Sequence, residues 1–298
     1  MWLWLILSAC LANAVVQMID KFLLTKSFTR ASSLTFLIAS ANLLGVFFVF
    51  GDFNWSLPSD QIALAVFSGV AFTVALQFLY LSFRKSDVSR MSPLVGGLVT
   101  LFSLLLAFLF VGEALTALQL GGVALLALGC LVLGYERVSK KEHRAAIVFA
   151  GLSALFFAVA YVLQKHIFLS ESFSTGFVYA RLGTFLSALP LLLIPGTAKE
   201  LFGRKSGGQA RRWSSLLVVA INMMLAAYYF VAINYSFSLT DVTVVNALSG
   251  LQYAMLLAIV WLLSTFAPKV FREKFSAGKI TQEIIAVLLI VGGLALLA

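Results

Sequence analysis

SFRKSDVSRMSPLVG (Ser82–Gly96) and SFSLTDVTVVNALSG (Ser236–Gly250) align without a gap at a shift of 154 residues. Ser82/Ser236, Phe83/Phe237, Asp87/Asp241, Val88/Val242, Leu94/Leu248 and Gly96/Gly250 are identical, and each stretch leads into a long apolar run. A fainter correspondence links Ser8-Ala9 to Ser153-Ala154 and, after a one-residue slip, Asp20-Lys21 to Gln164-Lys165. Matches at a fixed shift signal an internal repeat. The chain therefore divides into two units of similar plan, residues 1–139 and 145–298.

Outside these stretches apolar residues dominate: 61% of the 298 residues are hydrophobic and 11% charged, with a mean hydropathy of +1.02. Soluble domains carry roughly 45–50% apolar and about 25% charged residues. That contrast excludes a water-soluble protein and a disordered chain. A disulfide-stapled domain is excluded too, because Cys10 and Cys130 are the only cysteines and both lie inside apolar runs. Ten runs are candidates to cross a bilayer: about 2–19, 33–50, 61–82, 89–111, 117–134, 145–166, 175–194, 214–237, 243–265 and 281–297. The alternation of a membrane barrel strand is absent, which leaves helices as the way to satisfy the backbone in hydrocarbon. The expected fold is an all-α integral membrane protein of ten transmembrane helices. Five spans per half is an odd number, so the halves must run oppositely through the bilayer, as two inverted five-helix repeats.

The formal charge of +9 would indicate nucleic acid only if the basic residues shared one soluble face; no nucleic-acid partner is expected. Of the 21 Lys and Arg, nineteen lie in the connections that follow the odd-numbered spans, Lys165 lies on the opposite side and Arg181 inside a span. Basic connections stay in the cytoplasm. This predicts a multi-pass protein of the cell (cytoplasmic) membrane with both termini outside. No Lys or Arg precedes the first span, and only nine residues precede Cys10, so cleavage as a signal peptide is not expected.

From Ser92-Pro93-Leu94 through GEALTALQLGG (Gly112–Gly122) to Gly129, the chain resembles the EamA domain of the drug/metabolite transporter superfamily. That domain has a Pro early in its fourth helix and a G-E-x-x-T-x-x-Q-x-x-G segment leading into its fifth. The resemblance covers the chain as two such halves and is stronger in the first. Glu113 has no aligned counterpart in the second half, an insertion (Pro268–Lys279) separates the last two spans, and the termini are expected on the side opposite to that usual for ten-helix members. The resemblance implies a central cavity lined by spans one to four and six to nine, with spans five and ten peripheral. It also implies transport of small metabolites, commonly outward, by alternating access.

Candidate site residues follow from polar stripes within the spans. Asn13, Gln17, Asp20 and Lys21 share one face of the first, and Tyr161, Gln164 and Lys165 form the corresponding face of the sixth. Polar residues at membrane depth usually face the bundle interior; the alternative is interhelical bonding, with the lysines snorkelling. Gln77 and Tyr80 in the third span, with Asn246 and Tyr253 in the ninth, lie on similar stripes. They serve either lining or close packing. Arg181 stands about seven residues into the seventh span, where an unpaired charge costs several kcal/mol. It needs a substrate anion, a partner such as Glu171 or Asp241, or an outlet to the surface. Arg181, Lys165 and Gln164 are expected to form an electropositive outer part of the cavity. Asp87 and Asp241 directly precede the fourth and ninth spans and suit helix capping or gating. Thr116 and Gln119 fit a capping box.

His143 and His166 lack the neighbours that a metal or a catalytic triad requires, and phosphate- and dinucleotide-binding fingerprints are absent. No enzyme activity, metal or cofactor is expected. The leading reading is a secondary transporter, exporting a small polar metabolite, anionic or zwitterionic, such as an amino acid. The alternatives are a flippase for a lipid-linked substrate and a membrane scaffold without transport. Expected partners are a small-molecule substrate and membrane lipid, with the chain a monomer or homodimer.

Overall fold

The computed structural model describes residues 2–26, 28, 30–49, 57–135, 141–203, 209–266 and 277–297. Among them there is no strand, as hydrocarbon surroundings require of a chain that does not form a barrel. The helices are α1 (Trp2–Lys26), α2 (Ala31–Ala41), α3 (Ser59–Lys85), α4 (Val88–Phe110), α5 (Ala117–Gly134), α6 (Lys141–Ser170), α7 (Phe173–Ala188), α8 (Thr197–Phe202), α9 (Gln209–Leu239), α10 (Val242–Leu248), α11 (Leu251–Phe266) and α12 (Ala277–Leu297). The surface helix expected within Pro268–Lys279 falls, up to residue 276, outside the described residues.

Among the described residues eight segments are long and apolar enough to cross a membrane, and Ala31–Phe47 and Thr281–Leu297 are shorter apolar helices. The protein is a multi-pass membrane protein. The first of the short segments is extended by its own geometry. After α2 the chain tightens into a 3-10 helix over Asn42–Phe48, which rises about 2.0 Å per residue against 1.5 Å for the α-helix. Its 11 α and 7 3-10 residues together span roughly 30 Å, the thickness of the hydrocarbon layer.

The ninth apolar run is not one continuous helix. Ser249 and Gly250 form a turn between α10 and α11, closed by Gly250 N–H donating to Ala247 O at 2.8 Å. A break at membrane depth is tolerated where it is buried in protein or lines a cavity, and Ser249 lines one here.

Packing joins the two halves at every level. α1 lies against α9 and α11, α6 lies against α3 and α4, α2 meets α7, and α5 meets α12. Exchanging the first five apolar runs with the second five leaves this set of contacts unchanged. The lysine contacts follow the same rule. Lys21 Nζ donates to Phe83 O at 2.6 Å and Ser86 O at 2.9 Å; Lys165 Nζ donates to Phe237 O at 3.0 Å and Thr240 O at 2.9 Å. Phe83 and Phe237, like Ser86 and Thr240, stand at the same positions of the 154-residue register. Each lysine thus neutralises the carbonyl end of a long helix, where a cation is favoured. The closest backbone contact between two helices that a glycine permits is α3 on α7: a Cβ added to Gly69 would stand 2.3 Å from the Thr184 backbone nitrogen, so no larger residue fits there.

Candidate functional site

A partly open cavity of about 80 Å³, where an ordered water needs roughly 10–15 Å³, lies where the two halves meet. It has room for several waters or a small polar solute. Its wall is drawn from α1, α2, α3, α4, α6, α9, α10 and α11, with no residue from α5, α7 or α12. α5 and α12 are accordingly peripheral to it. The seventh span, which the resemblance counted among the lining spans, contributes nothing to the wall.

Asn13, Gln17, Tyr80, Tyr161, Asn246 and Tyr253 line this cavity. They are set by bonds between halves as well as within them. Asn13 Nδ2 donates to Gln252 Oε1 at 2.6 Å, Ser92 Oγ donates to Gln17 Oε1, and Asn246 Nδ2 donates to Ser103 Oγ at 2.8 Å. Tyr161 is held between Phe157 and Phe237, with ring centroids 5.7 Å and 5.1 Å away.

Among the described residues the cavity carries one charged side chain, Asp20, a residue of the first-span stripe that sequence reasoning did not select as a binding residue. It is 3% exposed. Tyr80 Oη donates to Oδ2 at 2.9 Å, and Asn222 Nδ2 donates to Oδ1 at 2.7 Å. Gln252 and Ser92 also line the wall and were not among the residues selected. Asp20 could have been found as a carboxylate in line with Asn13 and Gln17. Asn222 and Gln252 are isolated amides in apolar runs, and nothing local assigns them a partner.

The remaining four candidates stand elsewhere. Gln77 is on another flank of α3, accepting from Thr35 Oγ1 at 2.7 Å in a separate groove with Thr73 and Ser187. Gln164 is fully buried, and its amide has no hydrogen-bond partner among the described residues. Lys165 is committed to the two carbonyls named above. Arg181 is 0% exposed, with neither Glu171 nor Asp241 as its partner and no outlet to the surface. Its Nη1 donates to Asn42 Oδ1 at 2.8 Å, and its guanidinium carbon lies 5.2, 5.1 and 5.9 Å from the ring centres of Phe72, Phe177 and Phe230. Ring quadrupoles supply the negative potential that a carboxylate would otherwise give. The expected electropositive part of the cavity is therefore not formed: one cation is taken by helix carbonyls and the other by aromatic faces.

Asp87 and Asp241 do occupy the residue before α4 and α10, yet neither side chain makes a capping hydrogen bond. For α10 the cap comes from the other half. Glu113 Oε1 accepts from Val242 N at 2.7 Å, and Oε2 accepts from Thr243 Oγ1 at 2.9 Å and from Thr243 N at 3.4 Å. Gly112 makes this reach available: at φ +76° it turns the chain back over the end of α4, where Glu113 N–H donates to Ala107 O at 3.2 Å. Thr116 and Gln119 then form the expected capping box at the start of α5.

The arrangement defines a helical multi-pass membrane protein with a partly open, largely apolar cavity between its halves into which several polar side chains reach. The profile of the EamA-like transporter family, which belongs to the drug/metabolite transporter superfamily, matches residues 1–135. Among 29 solved chains that match, one crystal structure is similar over 99% of this chain and 95% of its own, at 19% identity and a TM-score of 0.66. At that identity the likeness establishes the fold alone. No curated protein sequence matches the chain.

Proposed function

We propose that this protein is a secondary transporter that exports a small polar metabolite by alternating access between two inverted five-helix repeats, residues 1–139 and 145–298, with both termini outside the cell membrane. The observation that carries this reading is the cavity at the junction of the halves, which receives polar side chains from both. A scaffold has no use for polar groups at that depth, where each costs free energy unless partnered. The self-exchanging contacts and the matched lysine caps support the repeat. With Lys165 and Arg181 engaged elsewhere, no cation remains among the described wall residues to hold a purely anionic solute. Within this reading we favour a solute that is not purely anionic, such as an amino acid.

The test is a thermal-shift screen of the purified protein against amino acids, sugars, nucleotides and lipid phosphates, followed by uptake of the stabilising compound into proteoliposomes. Saturable uptake supports the reading. Vesicles that move labelled lipid headgroups and no soluble compound would establish a flippase instead. Labelling of an added C-terminal cysteine by an impermeant reagent in intact cells tests the topology, and labelling only after permeabilisation refutes it.

A further inference from the structure

Asp20 is the feature of the cavity that its neighbours do not account for. A carboxylate offers about four lone-pair sites, and two neutral donors, Tyr80 and Asn222, take one each. Other charged groups near the same end of α1 do not serve it: Lys21 donates to the carbonyls of Phe83 and Ser86. Every other described residue on the cavity wall is uncharged. A buried carboxylate without a cation is costly, and this one opens onto space large enough for a solute. Aromatic faces of Tyr229 and Phe230 share the wall, and such faces also attract cations.

We infer that Asp20 is the recognition point for a positively charged nitrogen of the substrate, so that the transported molecules carry a primary ammonium. This rests on the transport reading and sharpens it. The ammonium is the group that supplies Asp20 with its missing counter-charge, and a solute without one gains nothing at this wall. The contact also bears on motion. Asp20 joins α1 and α3 of the first half to α9 of the second through Tyr80 and Asn222, so an ammonium competing for the same oxygens acts on the tie between halves. A ligand shifts a conformational equilibrium only through such differential contacts.

The experiment measures the charge selectivity of the cavity without needing the natural substrate. A reporter thiol is introduced as Ser249→Cys in a Cys10→Ala, Cys130→Ala background. Its reaction with the cationic reagent methanethiosulfonate-ethylammonium is compared with that of the anionic ethylsulfonate analogue, each normalised to a free thiol. The cationic reagent is expected to be favoured by at least about tenfold, as an unscreened carboxylate in low dielectric dictates. Asp20→Asn should abolish the preference and Asp20→Glu should keep it. Excess methylammonium chloride should protect the thiol of the Asp20 protein where sodium chloride does not; this arm decides the matter if Asp20→Asn fails to fold. Equal reactivity of the two reagents, a preference that survives Asp20→Asn, or absence of methylammonium protection overturns the assignment and leaves the transport reading standing. A thiol reached by neither reagent removes both.

Discussion

Replacing Glu113 by alanine should destabilise the protein far more than replacing Asp241, although Asp241 is the residue that sits at the start of α10. Glu113 makes two short bonds there, 2.7 Å to Val242 N and 2.9 Å to Thr243 Oγ1, and a long one of 3.4 Å to Thr243 N. Bonds to a charged acceptor contribute about 1.5–3 kcal/mol each, and Glu113 is only 9% exposed, so solvent screens it little. Counting the two short bonds alone, Glu113→Ala should cost about 3–6 kcal/mol, with the lower end favoured because the buried carboxylate's own desolvation is relieved. Glu113→Gln keeps one carbonyl acceptor and should cost about 1–2 kcal/mol. Asp241→Ala removes no capping bond and should stay within about 0.5 kcal/mol of the parent. Thermal unfolding in detergent, followed by intrinsic fluorescence, reads these differences at roughly 2–4 °C per kcal/mol. A double-mutant cycle of Glu113→Gln with Thr243→Val should show coupling of about 1 kcal/mol. An unchanged Tm for Glu113→Ala, or a larger loss for Asp241→Ala, would refute the claim that the first half caps a helix of the second.

Arg181→Met should lower Tm by several degrees, since Asn42 Oδ1 loses its donor at about 1–3 kcal/mol, while transport per folded molecule persists; lost transport at full stability would return Arg181 to the site. Lys21→Met and Lys165→Met each free a pair of helix-end carbonyls and should both lower Tm. A loss confined to one of them contradicts their equivalence. Gly69→Ala forces a Cβ to within 2.3 Å of the Thr184 backbone nitrogen; the yield of monodisperse protein on size exclusion should fall sharply, and wild-type yield and Tm would show that α3 and α7 separate freely.

The residues that could be read from the sequence are those whose roles are settled within a turn of helix. Apolar length marks the spans, because hydrocarbon tolerates little else. Thr116 and Gln119 declare a capping box three residues apart, and the residues that open α4 and α10 are visible in the Ser82–Gly96 and Ser236–Gly250 match. The polar stripe of the first span likewise points inward on its own, since lipid offers Asn13, Gln17 and Asp20 no partner. Which partner each polar group meets is another matter. Glu113 and Val242 are 129 residues apart, and Arg181 and Asn42 are 139 apart. A polar group in a span must find something other than lipid, but a carbonyl end, an aromatic face and a cavity meet that need equally well, and nothing local to the residue chooses among them. Packing made the choice: it committed Lys165 to a helix end and Arg181 to three rings, and left Asp20 as the charge that faces the cavity.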